Sequence, residues 1–279
     1  MTDLDAASLR DAYDAQLRAH LPDPLPEGAT VEFDGPLVRM TGLDSGGFLT
    51  YRHLGGLTGA ELDALIARQR DLFAERGQEV EWKLHGHDRP DDLGERLVAH
   101  GFEPQQQETV LIGRIAPIAA ERSEPPPGVH VRKVTDRTDL ERIARMQEAV
   151  WSEDRTWLVD GLQRELAADP TALTIMVAET EDKAGGEVVS AGWVRYLAGT
   201  AFVTLWGGST LPQWRRRGIY RALVAHRARL AEARGFTLMQ VDASDDSRPI
   251  LERLGLVAVT TTTPYVYTPA TVGPPPASL

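Results

Sequence analysis

The sequence predicts a mixed α/β protein made of two similar domains, each a mixed α+β sheet flanked by helices. Three observations lead there. One succession of elements occurs twice, in residues 59–102 and in residues 218–256. It is a long amphipathic helix ending in Arg-Gly, a short strand, a turn with Arg-Pro, a short helix, and a glycine followed by a hydrophobe. A proline-rich segment lies between the copies, and the second half alternates strand-like with helix-like runs. The copies stand about 155 residues apart, longer than solenoid periods, so the pattern reads as duplication of a whole domain.

Each element has a local cause. The long helices follow from apolar spacing at Leu62, Leu65, Ile66, Leu72 and Phe73, and at Leu223, Val224 and Leu230. Gly77 and Gly235 are the expected stops, since glycine accepts the left-handed conformation that ends a helix. Asp88-Arg89-Pro90 and Ser247-Arg248-Pro249 are expected to put proline in the first turn of the short helices. In the second half the predicted order is strand 129–134, helix 140–150, and a loop with a second helix over 151–169. Strands 172–180 and 188–198 follow, joined by a turn at 181–187, and then strand 201–208. The long helix starts at or just before Gly218, and strand 236–243, the short helix and strand 256–268 complete the domain. Consecutive antiparallel strands thus lead into a strand–helix–strand crossover. The predicted boundaries are a first domain over 1–115, a linker over 116–128 with Pro125, Pro126 and Pro127, a second domain over 129–268, and a disordered tail over 269–279.

Composition narrows the function. A net charge of −11 argues against general nucleic-acid binding, so any anion site must be local. Cysteine is absent, which excludes disulfides, thiolate metal sites and thiol nucleophiles, and fits a cytoplasmic location. The first twenty residues carry acids and no apolar core, unlike a secretory leader. No apolar run approaches the roughly 18 to 20 residues that cross a bilayer, so no membrane association is expected. Only Lys83, Lys133 and Lys183 of the thirty basic residues are lysines, so a single arginine carries little information.

A cluster of arginines carries more. In "LWGGSTLPQWRRRGIYRAL" a strand ends near Gly207-Gly208, Pro212 stops the ladder, and a helix opens at Gly218. The first turn of a helix leaves N–H groups unpaired and partly positive, which suits a diphosphate, and Gly218 lets backbone approach it. Arg215, Arg216 and Arg217 add charge and forked donors. Cations are disfavoured at a helix N-terminus unless an anion joins them.

Arg215-Arg216-Arg217-Gly218-Ile219-Tyr220 resembles the R/Q-x-x-G-x-G/A signature of the GCN5-related N-acetyltransferases (GNAT), and Pro212 matches the proline that often precedes it. The resemblance, together with the element order over 129–268, implies two tandem GNAT-like domains, the first a degenerate copy. It implies acetyl-CoA as cosubstrate, no metal, and transfer of an acetyl or other acyl group to a primary amine of a small molecule or peptide by direct attack. Its coenzyme A residues would be Gly208, Ser209, Thr210, Arg215, Arg216, Arg217, Gly218, Ile219, Tyr220 and Ser244. Tyr220 departs from the Gly or Ala of the signature. The usual glutamate base falls near Trp206 and the usual tyrosine acid at Leu251, neither of which can serve. Asp242 and Tyr265 are therefore the catalytic candidates, with Tyr196 and Tyr267 as further hydroxyls. Trp151, Asp154, Trp157, Trp193 and Trp206 are the acceptor-binding candidates, since acidic and aromatic groups together suit a cationic amine. A non-catalytic acyl-CoA-binding or sensing protein is the alternative, and a nucleotide-binding protein a third reading, weakened by the lack of a G-x-x-x-x-G-K-[ST] loop. His85-Gly86-His87-Asp88 reads as a turn, because no second cluster completes a metal site. The first half keeps Gly55, Gly56 and Gly59 before its helix but lacks the arginines, so it is expected to wall the acceptor cleft or brace the active half, with a second, unusual acyl-CoA site as the alternative. The chain is expected to be a monomer or homodimer.

Overall fold

The structure, a computed structural model, describes residues 5–23, 25–43, 46–181 and 186–269. Two compact units emerge: one combines the chain up to Thr109 with Thr260 onward, and the other is Val110–Val259. The predicted division at 115 and 129 is therefore corrected. The chain's last strand pairs in the first unit, an exchange that leaves no trace in local sequence.

The first unit contains α1 (Ala6–Gln16), β1 (Thr30–Asp34), β2 (Leu37–Leu43), β3 (Gly46–Thr50), α2 (Gly59–Arg76), β4 (Val80–His85), α3 (Leu93–Ala99) and β5 (Glu103–Pro104). The chain then enters the second unit through β6 (Glu108–Arg114), α4 (Ile115–Ala119), β7 (Val129–Val134), α5 (Arg137–Trp151), α6 (Thr156–Ala168), β8 (Leu173–Thr180) and β9 (Val188–Tyr196). It continues with β10 (Phe202–Thr210), a 3-10 turn at Pro212–Trp214, α7 (Ile219–Ala233), β11 (Leu238–Ala243), α8 (Arg248–Arg253) and β12 (Val257–Tyr267). Thr262–Tyr267 of β12 pair antiparallel with β4. The strand order is β1-β2-β3-β4-β12 in the first unit and β6-β11-β10-β9-β8-β7 in the second.

The duplicated succession is visible in the pairing. β3 and β4 run parallel over three rungs, Gly47↔Val80 to Leu49↔Trp82. β10 and β11 do the same over Phe202↔Leu238 to Thr204↔Gln240. α2 buries Leu62, Leu65, Ile66, Gln69 and Phe73, one stripe of a 3.6-residue period. Each fully buried aliphatic or aromatic side chain there contributes about 1.5–3 kcal/mol. Gly77 and Gly235 are left-handed, at φ +61° and +84°, and end α2 and α7 as expected. The N–H of Gln78 returns to the Phe73 carbonyl at 3.0 Å, and that of Phe236 to Ala231 at 3.2 Å.

Four expectations fail. Leu230 is exposed, because Arg227, Ala228 and Ala231 form the inner side of α7 instead. Pro90 precedes α3, its carbonyl accepting from the Leu93 N–H at 3.1 Å, whereas Pro249 does sit in the first turn of α8. Residues 116–119 of the expected linker are no spacer: Ile118 and Ala119, like Ile115 just before them, are core residues of the second unit. Tyr265 lies in the first unit, opposite Trp82, and packs against its core. The tail beyond Pro269 and the turn residues 182–185 lie outside the described residues.

Candidate functional site in the second unit

The site grows from a break in the sheet. β10 and β11 pair only as far as Thr204 and Gln240, yet both strands continue. Trp206–Thr210 and Val241–Ala243 thus face an opened seam. The break coincides with a β-bulge. Trp206 opposes Trp193 on β9 and Ser209 opposes Ala191, so two residues of β10 stand against one of β9. Gly207 takes φ +62° in the bulge, and its missing Cβ makes room for the Trp193 ring. The Gln147 amide of α5 donates to the Gly207 carbonyl at 2.9 Å and anchors the bulge.

Residue parity then sorts the side chains. Thr204, Trp206, Gln240 and Asp242 share the face of Arg195 and Trp193, because pairing partners point the same way. Trp206 is exposed and held: its Nε1–H donates to Thr204 Oγ1 at 2.8 Å, and the Arg195 guanidinium stands 4.8 Å from its ring centre. Arg195 is itself held by both Glu165 oxygens, at 2.7 and 2.8 Å. Asp242 accepts from the Gln240 amide at 2.7 Å. The structure therefore brings Asp242 and Trp206 to one face, on the two sides of the seam. Trp193 shares that face but is 5% exposed and belongs to the core, which removes it from the acceptor candidates. Trp151 and Trp157 are exposed, and Trp151 lies one turn beyond Gln147 on α5. Asp154 accepts from the Thr156 N–H and hydroxyl at 2.8 and 2.7 Å, contacts that hold its carboxyl below the usual range.

Beyond β10 the chain turns sharply. Arg216 and Gly218 are both left-handed, at φ +63° and +80°, and a Cβ at Gly218 would meet open space. The first backbone bond of α7 is Ala222 N–H to Gly218 O, at 2.9 Å. The N–H groups of Ile219, Tyr220 and Arg221 thus have no acceptor within the helix. Arg215 reaches back to the Thr210 carbonyl at 3.2 Å, and Arg217 lies 4.7 Å from the Trp214 ring centre. All three arginines are exposed. None pairs with a carboxylate among the described residues, in a chain with 41 acids to 30 bases. Alternating handedness with free N–H groups and unpaired cations makes a concavity of a kind that suits an anion.

The remaining predicted residues have clear places. Ile219 is core. Ser209 is buried, its hydroxyl 3.8 Å from Met146 Sδ. Thr210 Oγ1 meets Ser190 Oγ at 2.8 Å. The Ser244 carbonyl accepts from the N–H groups of Ser247 and Arg248 at the entry to α8. Leu251 is fully buried. Sequence reasoning missed Arg227 and Gln147, since both read as solvated helix residues. Among the described residues no group of three or more potential ligands could hold a metal, and no helix is long and apolar enough to cross a membrane.

Solved structures share this architecture. A GCN5-related N-acetyltransferase from Kribbella flavida matches with a TM-score of 0.68 at 18% identity, over 96% of this chain and 97% of its own. A tandem GNAT protein from the clavulanic acid biosynthesis pathway matches with 0.61 at 13% identity, over 90% and 85%. A GCN5-related N-acetyltransferase from Sphaerobacter thermophilus matches with 0.58 at 14% identity, over 84% and 81%. No protein-family model matches the sequence, and no curated protein does. The chain carries the GCN5-related N-acetyltransferase fold, in the tandem arrangement.

Proposed function

We propose that the protein is an acyl-CoA-dependent N-acyltransferase whose second unit moves an acetyl group to a primary amine of a small molecule or peptide. One observation carries this reading: the concavity at Arg215–Tyr220 stands at the end of a seam where β10 has left β11. Coenzyme A would supply the activated thioester. The N–H groups and arginines at 215–221 would hold its diphosphate, and the free edge at Gly208–Thr210 would pair with its amide arm and polarise the carbonyl. Asp242 would bind the amine cation or take its proton through water, and Trp206, Trp151 and Trp157 would offer flat walls to the acceptor. The first unit would be a degenerate copy that does not hold coenzyme A in this way.

Calorimetry with acetyl-CoA tests the reading. Binding is expected, and Gly218→Asp combined with Arg217→Glu should abolish it; binding untouched by that pair of changes would defeat the proposal. A non-catalytic acyl-CoA sensor is the second reading, favoured by the aliphatic Leu251 and by a Trp206 whose only polar atom is already bonded. Steady turnover with any of a panel of primary amines would end it.

A further inference from the structure

The sulfur that leaves in the proposed reaction has to take up a proton, and Leu251 cannot give one. Leu251 belongs to the core cluster on the sheet face opposite Trp206, together with Leu205, Val224 and Val241. Tyr220 packs against that same cluster, reaching it from the first turn of α7 instead of from α8. A Cβ added at Gly208 would lie 2.7 Å from Tyr220 Cε2 and 3.3 Å from its hydroxyl oxygen. The phenol therefore rests directly on the backbone of Gly208, on the part of β10 that has left β11. Its hydroxyl makes no hydrogen bond to another described residue.

A buried cation accompanies it. Arg227 stands two turns further along α7 and is 1% exposed. Its Nε donates to the Leu223 carbonyl and its Nη1 to the Trp193 carbonyl, both at 3.1 Å. Nη2 has no partner, and a Cβ at Gly192 would come within 2.8 Å of Nη1. A buried guanidinium with no carboxylate is costly to keep, and such charges concentrate where a reaction uses them. Burial pushes the Tyr220 phenol up, and the Arg227 charge pulls it back down. Burial in turn holds Arg227 down, to about 10.

We propose that Tyr220 is the proton donor to the leaving thiolate, in place of the aliphatic Leu251, and that Arg227 is a positioning residue that offsets the phenolate charge. The inference rests on the acyl-transfer reading above. The amine nitrogen forms the C–N bond as the C–S bond breaks, and the sulfur keeps the electron pair. Sulfur then takes the phenol proton. The surplus proton on nitrogen leaves through water beside Asp242, and water returns a proton to the phenolate. The two proton transfers occur on opposite faces of the seam, so base and acid do not compete for one position.

The test is thiol release from acetyl-CoA, read with an aromatic disulfide, together with calorimetric affinity for acetyl-CoA. The chain has no cysteine and adds no background. With the best acceptor of an amine panel, Tyr220→Phe should lower kcat about 100-fold and leave acetyl-CoA affinity within about twofold. Arg227→Met should also lower kcat, and Arg227→Lys should restore part of it. Placing 3-fluorotyrosine at 220 keeps the packing and should shift kcat with phenol acidity. Wild-type kcat in Tyr220→Phe, or a kcat indifferent to fluorination, would overturn the inference while leaving acyl transfer intact. A wild-type protein that releases no thiol with any amine would instead overturn the acyl-transfer reading itself.

Discussion

Two glycines flank the candidate site for different physical reasons, and replacing each by alanine separates them. Gly207 needs its positive φ, and its absent Cβ also clears the Trp193 ring, whose Cζ3 and Cη2 would lie 1.9 and 2.0 Å from an added carbon. Alanine in a left-handed conformation costs about 1–2 kcal/mol. Forcing Trp193 out of a packed core adds about 1–3 kcal/mol. Gly207→Ala should therefore destabilise the second unit by about 2–5 kcal/mol. Gly218 has the same kind of φ but faces open space, so Gly218→Ala should cost only about 1–2 kcal/mol of stability. Its added methyl points where the diphosphate would approach, so its loss should be in acetyl-CoA affinity. Urea unfolding followed by tryptophan fluorescence gives the stabilities, and calorimetry gives the affinities. Equal stability losses in the two variants would show that Trp193 does not depend on the bulge, and the account of how β10 leaves β11 would fail with it.

Three further outcomes are expected. Asp242→Asn should lower kcat/KM for the amine and flatten its pH dependence; an unchanged profile removes Asp242 from proton transfer. Trp206→Ala should weaken acceptor binding, seen as a higher KM for the amine, while acetyl-CoA affinity stays put, because Trp206 is on the face away from Tyr220. In the first unit, His85 is 2% exposed, and burial first, then the Arg18 charge, holds its imidazole at about 2 against an ordinary 6.5. The unfolded chain takes a proton there below about pH 6.5 and the folded one does not, so stability falls with falling pH. Between pH 7 and pH 5 the loss is about 2 kcal/mol, and His85→Gln should remove that share in matched urea titrations.

Much of this was legible in the sequence because it is local. β7 spans the residues read from "VHVRKV", and the stops at Gly77 and Gly235 follow from backbone rules. The helix entry at Gly218 and the arginine trio were visible for the same reason. Depth was not. Trp193 and Trp206 share one face, yet one is buried and the other exposed, and the bulge at Gly207 follows directly after Trp206. Tyr220 looked like a departure from a glycine position. Its meaning depends on Gly208, twelve residues earlier, whose missing side chain receives the ring. Arg227, in "AHRARLAEARG", has the composition of a solvated helix face, and nothing local marks it as the inward residue. Tyr265 is a catalytic candidate by its hydroxyl, but β12 carries it into the other unit.

The first unit supplies an internal control for the site. Counting two residues past the last parallel rung, Tyr51 stands where Trp206 stands in the second unit. There the strand ends are clasped: the Tyr51 hydroxyl donates to Asp88 Oδ2 at 2.6 Å, and Arg18 pairs with the other Asp88 oxygen. Tyr51, Arg18 and Asp88 are all buried. In the second unit Trp206 bonds to Thr204 and Gln240 to Asp242, each along its own strand. The connection differs too. α2 starts eight residues after Tyr51, whereas α7 starts thirteen after Trp206. The shorter path has no room for the strand extension, the 3-10 turn and the arginine-bearing loop together. Opening the first unit would break a buried carboxylate–guanidinium pair, a change that costs about 3–5 kcal/mol when one partner is left unpaired. Acetyl-CoA should accordingly bind with a stoichiometry of one per chain. Two tight sites by calorimetry would mean that the Tyr51–Asp88 clasp opens at little cost, and the reading of the first unit as a closed copy would be wrong.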